Sequence, residues 1–143
     1  MYALDASDQA LALTAENARR HGVGDRVRCL LGDLLAPLPG PVDLIVANLP
    51  YVATGEWEGL APEIRLYEPR PALDGGPDGL ALIRRLLATA APCLRPGGAL
   101  LIEIGADQGA AVTALARRHF PQAAVQLYPD YAGLDRLVAI ETG

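Results

Sequence analysis

The sequence predicts an α/β protein built on a doubly wound, mostly parallel sheet with an antiparallel pair at its C-terminal edge. Three observations carry this reading. Short apolar runs of strand length alternate with amphipathic stretches of helix length. Helix caps, glycines and prolines fall between them, where connections need them. The last two apolar runs follow one another with no helix between them, which marks a closing hairpin.

Taken in order, residues 1–4 are apolar and lead into Asp5, so they read as the tail of a buried strand. Ser7 is placed to cap the following helix, whose apolar stripe is Ala10, Leu11, Leu13, Thr14 and Ala18. Gly22 ends that helix, since its missing Cβ suits the left-handed residue after a last turn. Residues 26–31 alternate weakly and read as a second strand, turned by Gly32-Asp33. Residues 34–41 hold three prolines and a glycine and read as loop.

Residues 42–47 fit a buried parallel strand, with Asp43 as the exception. Residues 48–76 are long, irregular and rich in Pro, Gly and Glu, the character of a functional loop. Residues 78–91 read as a strong amphipathic helix burying Leu80, Leu82, Ile83, Leu86, Leu87 and Ala90, ended or distorted by Pro92. Residues 95–98 (Arg-Pro-Gly-Gly) read as a turn, and residues 99–104 as a buried strand that carries Glu103. Residues 107–119 read as a helix weakened by Gly109, and residues 123–128 and 136–141 as the closing strands.

With 143 residues the chain has room for one domain at most, and 51% hydrophobic against 20% charged residues supports a packed core and excludes disorder. Aromatic residues are only 5%, so Ala, Leu and Val fill most of that core. A net charge of −5 argues against holding nucleic acid by broad phosphate neutralisation, while leaving a protein substrate open. Cys29 and Cys93 make neither a disulfide framework nor a metal cluster; they read as reduced core thiols of a cytosolic protein. His21 and His119 lie near helix ends, where a cation suits the helix dipole, and are assigned no chemistry. Neither a membrane span nor a signal peptide is expected.

Doubly wound sheets bind ligands at the carboxyl ends of their strands, and Asp5, Asp33, Asn48 and Glu103 all fall at or near such ends. A carboxylate at Asp5 can accept from both hydroxyls of a ribose, or it can serve the dipole of the helix that follows. Asp33 can accept from an adenine amine, or it can be an ordinary turn aspartate. Asn48-Leu49-Pro50-Tyr51 combines a planar amide, a rigid proline and an aromatic ring directly after a strand. The Asn48 side-chain oxygen and the Leu49 carbonyl can both accept from one NH2 group, and the Tyr51 ring can stack on the flat group that carries it. That arrangement suits a planar amide or amine as methyl acceptor; the plainer alternative is a strand-ending turn.

Residues 48–51 resemble the Asn-Pro-Pro-Tyr signature of methyltransferases that act on the amino groups of glutamine, adenine or guanine. Residues 67–80 (Tyr-Glu-Pro-Arg-Pro-Ala-Leu-Asp-Gly-Gly-Pro-Asp-Gly-Leu) are similar to a stretch of the protein-(glutamine-N(5)) methyltransferases, which modify peptide chain release factors. Residues 95–98, Glu103-Ile104-Gly105 and residues 130–138 also resemble that family, and the similarity runs from residue 2 to residue 141. The resemblance implies a Rossmann-like class I S-adenosylmethionine-dependent methyltransferase sheet, with S-adenosylmethionine held by Asp5, Asp33, Leu34 and Asn48. It implies a glutamine substrate bound by Asn48, Leu49, Pro50 and Tyr51, with Asn48 and Tyr51 catalytic. It also implies a cytoplasmic enzyme that uses no metal and whose partner is a release factor carrying a Gly-Gly-Gln motif.

Two departures from the family pattern stand out. Leu49 replaces a proline, and the chain begins at what resembles the family's second strand. The resemblance therefore implies a partial methyltransferase domain over residues 1–143, without the first strand and Gly-rich loop, and with weak cofactor binding or none. The alternatives are a nucleic-acid amino-group methyltransferase, disfavoured by the charge and by residues 68–80, and a non-catalytic remnant or interaction module.

Overall fold

A computed structural model describes all 143 residues. Its elements are β1 (Tyr2–Asp5), α1 (Asp8–Arg20), β2 (Arg28–Leu31), β3 (Val42–Asn48), α2 (Pro62–Tyr67), α3 (Ala81–Ala90), β4 (Leu94–Glu103), α4 (Gly109–His119), β5 (Ala124–Pro129) and β6 (Asp135–Glu141). The order is the one read from the sequence, with the short α2 added inside the long irregular segment. The residues fall into two compact units, Met1–Pro41 and Val42–Gly143, each with its own sheet.

In the first unit, β1 and β2 run parallel, from Tyr2 opposite Arg28 to Asp5 opposite Leu31. The crossover between them is α1, opened by Ser7, whose hydroxyl oxygen accepts from the Ala10 N–H at 3.2 Å. Asp8 in its first turn and Arg19 and Arg20 in its last complement the helix dipole. Gly22 follows in the left-handed conformation, φ +67°. Leu11 and Ala18 are buried, but Leu13, placed in the stripe by the sequence, is 58% exposed. Two residues along a helix is a rotation of about 200°, which carries Leu13 to the side opposite Leu11.

The second unit is a four-stranded sheet in the order β3-β4-β6-β5. β3 and β4 are parallel, and β6 is antiparallel to both β4 and β5. The closing hairpin thus lies at one edge with β5 outermost. In register across one face stand Ile45, Leu100 and Ile140, with Ile102 opposite Val138. These residues are buried, as are Ile83, Leu86, Leu87 and Ala90 of α3 and Val112 and Ala116 of α4, and they form an aliphatic core with Phe120 as its one buried aromatic.

Four expectations are corrected here. β3 pairs in parallel as expected, but it is not buried: Leu44 and Val46 are 53% and 70% exposed. β3 is an edge strand of its sheet, and its alternate side chains face away from the side on which Ile45 is buried. Residues 95–98 do not separate two elements but bulge within β4, since Val42 pairs with Leu94 and Leu44 with Ala99. Asp43 is explained by the same bulge, through an ion pair at 2.7 Å with Arg95 on the surface. The helix expected from residue 78 begins at Ala81, because Gly79 turns the chain at φ +71°. The helix expected from residue 107 begins at Gly109, so this glycine opens α4 rather than interrupting it; a Cβ there would lie 2.2 Å from the Asp135 carboxylate and 2.9 Å from Leu127, two side-chain ends that would have to shift.

Candidate active site

In the first unit, Asp5 ends β1 and is exposed. Its Oδ1 accepts from the Ser7 N–H at 2.8 Å, which bends the chain into α1 and commits one carboxylate oxygen to the fold. The Asp5 carbonyl accepts from Gly32 N–H at 3.0 Å, so Asp33 follows directly at the end of the neighbouring parallel strand. Leu34 has φ +47° and is the only non-glycine residue with positive φ. A left-handed leucine costs about 1–2 kcal/mol, and strain of this kind concentrates at functional sites. Asp5, Asp33 and Leu34 thus gather at the carboxyl end of one two-stranded ladder.

In the second unit, β3 ends at Asn48, in register with Glu103 at the end of β4. Asn48 is exposed, and Leu49, Pro50 and Tyr51 continue from it half-buried, outside any helix or strand. The chain then runs beside the stretch around Asp74. Val52 N–H donates to the Leu73 carbonyl at 2.9 Å, Gly75 N–H to the Val52 carbonyl at 2.8 Å, and Thr54 N–H to the Gly76 carbonyl at 2.9 Å. Asp74 fastens this contact. It accepts from the Thr54 hydroxyl at 2.6 Å and the Gly76 N–H at 3.0 Å, and it pairs with Arg70, which lies 5.2 Å over the Trp57 ring. The Thr54 hydroxyl, then the Gly76 N–H, hold the Asp74 carboxyl below its ordinary range.

The glycines of residues 73–80 have a physical reason. A Cβ on Gly75 would lie 2.6 Å from the Pro50 carbonyl oxygen, and one on Gly79 would lie 2.2 Å from that of Tyr51. The same Tyr51 carbonyl accepts from Gln108 Nε2 at 2.9 Å, while Gln108 Oε1 accepts from the Gly105 N–H at 3.0 Å. Behind Gly105, Arg136 Nη1 donates to the Ile104 carbonyl at 3.0 Å and itself pairs with Asp130, which orders the β5–β6 turn. A cavity of about 340 Å³ opens beside the loop, lined by Tyr51, Val52, Leu60, Asp78, Gly105 and Gln108 among others. Sequence reasoning gave no role to Gln108, Gly75, Gly79 or Arg136. Gly75 and Gly79 lie within residues 67–80, but what they approach is visible only in three dimensions.

Asp78 closes the turn before α3. Hydrogen bonding from the Arg84 guanidinium, then the Leu80 N–H, lowers its carboxyl from 3.8 to about 2. A folded-state value below the unfolded one means that the stabilisation is present above 3.8 and is lost as pH falls towards 2. Melting temperature followed over that interval should therefore fall less steeply in Asp78→Asn than in the wild type. Identical acid limbs would show that the pair contributes nothing to this turn.

No family model matches the chain. The chain is 53% identical over 137 residues to the release factor glutamine methyltransferase of Moorella thermoacetica, an alignment that takes in 95% of this chain and 48% of that protein. The chain spans about half the length of the curated relatives it matches. Among solved structures, a methyltransferase from Pyrococcus furiosus superposes with a TM-score of 0.70 at 15% identity, over 99% of this chain and 62% of that one. A release-factor-specific protein-(glutamine-N5) methyltransferase from Alicyclobacillus acidocaldarius superposes with a TM-score of 0.53 at 21% identity, over 99% of this chain and 78% of that one. The fold is that of the class I S-adenosylmethionine-dependent methyltransferases, mostly parallel with β6 reversed.

Proposed function

We propose, from the premise that this chain belongs to the release factor glutamine methyltransferase family, that it serves the transfer of a methyl group from S-adenosylmethionine to the side-chain amide nitrogen of a glutamine in a peptide chain release factor. The observation that supports this reading most directly is the loop Asn48–Tyr51, which leaves the carboxyl end of β3 with the exposed side chain of Asn48 and ends at a Tyr51 carbonyl bonded by Gln108. Both units are parts of one methyltransferase domain in this reading, and the protein works in the cytoplasm.

The residues present suit the cofactor. In the first unit, Asp5 has one carboxylate oxygen outside the Ser7 bond to offer a ribose, and Asp33 and the strained Leu34 follow the end of the neighbouring strand. When bound, S-adenosylmethionine supplies an electrophilic methyl on a cationic sulfur. An amide nitrogen is a poor nucleophile because its lone pair is delocalised, so positioning must do most of the work. Asn48 Oδ1 and the Leu49 carbonyl accept from the glutamine NH2 and hold its nitrogen towards the methyl. As the nitrogen takes the methyl and the methyl–sulfur bond breaks with its electron pair left on sulfur, the nitrogen gains positive charge and those two bonds strengthen, which favours the transition state over the ground state; the nitrogen then gives up one proton to solvent. Tyr51 stacks on the amide plane and keeps water from it.

The test is a chimaera in which this chain replaces the matching half of the Moorella thermoacetica enzyme, given labelled S-adenosylmethionine with a release factor or duplex DNA. Label on the glutamine amide is expected, and label on DNA alone would overturn the assignment. In the same assay Tyr51→Phe should retain more turnover than Tyr51→Ala, because the ring rather than the hydroxyl stacks. Equal losses would move the role to the hydroxyl.

A further inference from the structure

We infer that Gln108 is the positioning residue of the acceptor loop: its amide clamps the Tyr51 carbonyl to the turn that follows β4. The catalytic meaning of the clamp rests on the function proposed above; its geometry does not.

Gln108 is the one buried polar side chain, 8% exposed, and both ends of its amide are used with opposite polarity. Oε1 accepts from Gly105 N–H, and Nε2 donates to the Tyr51 carbonyl. An uncharged amide offers an acceptor and a donor on one terminal carbon, which is what these two backbone groups require. Its surroundings allow little play, since a Cβ on Gly79 would stand 2.6 Å from Nε2 and one on Gly105 would stand 3.2 Å from Oε1. The Gly105 side of the clamp is itself anchored. Ile104 N–H donates to the Arg136 carbonyl at 3.0 Å, and the Arg136 guanidinium returns a bond to the Ile104 carbonyl.

The consequence falls on the residues between. Asn48 is fixed by its ladder with β4. The peptide joining Tyr51 to Val52 is fixed on both sides, its carbonyl by Gln108 and its N–H by the Leu73 carbonyl. The backbone of Leu49 and Pro50 spans two fixed points, so the Leu49 carbonyl is held without the proline ring that the Asn-Pro-Pro-Tyr signature carries at that place.

Amide hydrogen exchange on this chain, at about pH 8 where a glutamate is ionised, tests the clamp with two variants. Gln108→Ala removes both bonds. Gln108→Glu keeps an acceptor for Gly105 N–H but has no donor for the Tyr51 carbonyl. Val52 N–H should exchange at least about tenfold faster than wild type in both, whereas Gly105 N–H should lose protection only in Gln108→Ala. Wild-type exchange of Val52 in both variants would overturn the clamp. In the chimaera, both variants should lose kcat by about tenfold or more while KM for S-adenosylmethionine holds, and full kcat alongside fast Val52 exchange would overturn the positioning role. A wild-type chimaera that methylates no glutamine would strike the functional reading alone, and the exchange result would still decide the clamp.

Discussion

Asn48→Ala is expected to lower methyl transfer by about 10²–10³ in kcat, or roughly 2.7–4 kcal/mol of barrier, the cost of removing one well-placed polar group that serves a developing charge. On the proposed reading, in which the Asn48 side chain serves mainly the acceptor, the cofactor dissociation constant should change far less, because Asp5, Asp33 and Leu34, the other residues proposed for the cofactor, are untouched. Stability should hold as well. Asn48 enters the sheet through its backbone, opposite Glu103, and its side chain is exposed, so the substitution removes no packed group. Steady-state kinetics in the chimaera, calorimetric titration with S-adenosylmethionine and a thermal melt separate the three quantities. Wild-type turnover, or a collapse of cofactor affinity equal to the loss in rate, would take the acceptor role away from Asn48.

What the sequence disclosed and what it concealed divide along the range of the interactions involved. Ser7 and Gly22 mark the ends of α1 because capping is settled within a few residues. The stripe of α3 is legible because Ile83, Leu86, Leu87 and Ala90 repeat with the helical period. Leu44 and Val46 mislead for the opposite reason. An apolar run signals a strand, but nothing local tells whether both faces of its sheet are covered. Asn48–Tyr51 was located by a rule about strand ends, and it lies at such an end. Gln108 was invisible, since a glutamine at the start of a helix looks like any solvated polar residue until Gly105 and Tyr51 are found at its two ends. Gly75 and Gly79 read as turn residues, and only the opposing backbone carbonyl oxygens explain why a side chain cannot stand there.

Gly79→Ala should be among the most destabilising single-methyl additions available in the second unit, for two reasons that can be measured apart. At φ +71° an alanine adopts the left-handed conformation at about 1–2 kcal/mol. Its Cβ would in addition lie 2.2 Å from the Tyr51 carbonyl oxygen and 2.6 Å from Gln108 Nε2. The first of these atoms is backbone and cannot swing aside, so either the turn before α3 or the Tyr51–Val52 peptide must shift, an overpacking cost of about 1–3 kcal/mol more. Gly133→Ala is the natural control. Its φ of +82° brings the same conformational cost, but nothing lies within 4 Å of its Cβ. Denaturant unfolding of the two variants should place Gly79→Ala below Gly133→Ala by the overpacking difference. Since a displaced Tyr51 carbonyl cannot keep its bond to Gln108, Gly79→Ala should also share the fast Val52 exchange of Gln108→Ala, while Gly133→Ala should not. Equal stabilities for the two alanine variants would mean that the turn yields freely, and that the close approach of Gly79 to Tyr51 plays no part in holding the acceptor loop.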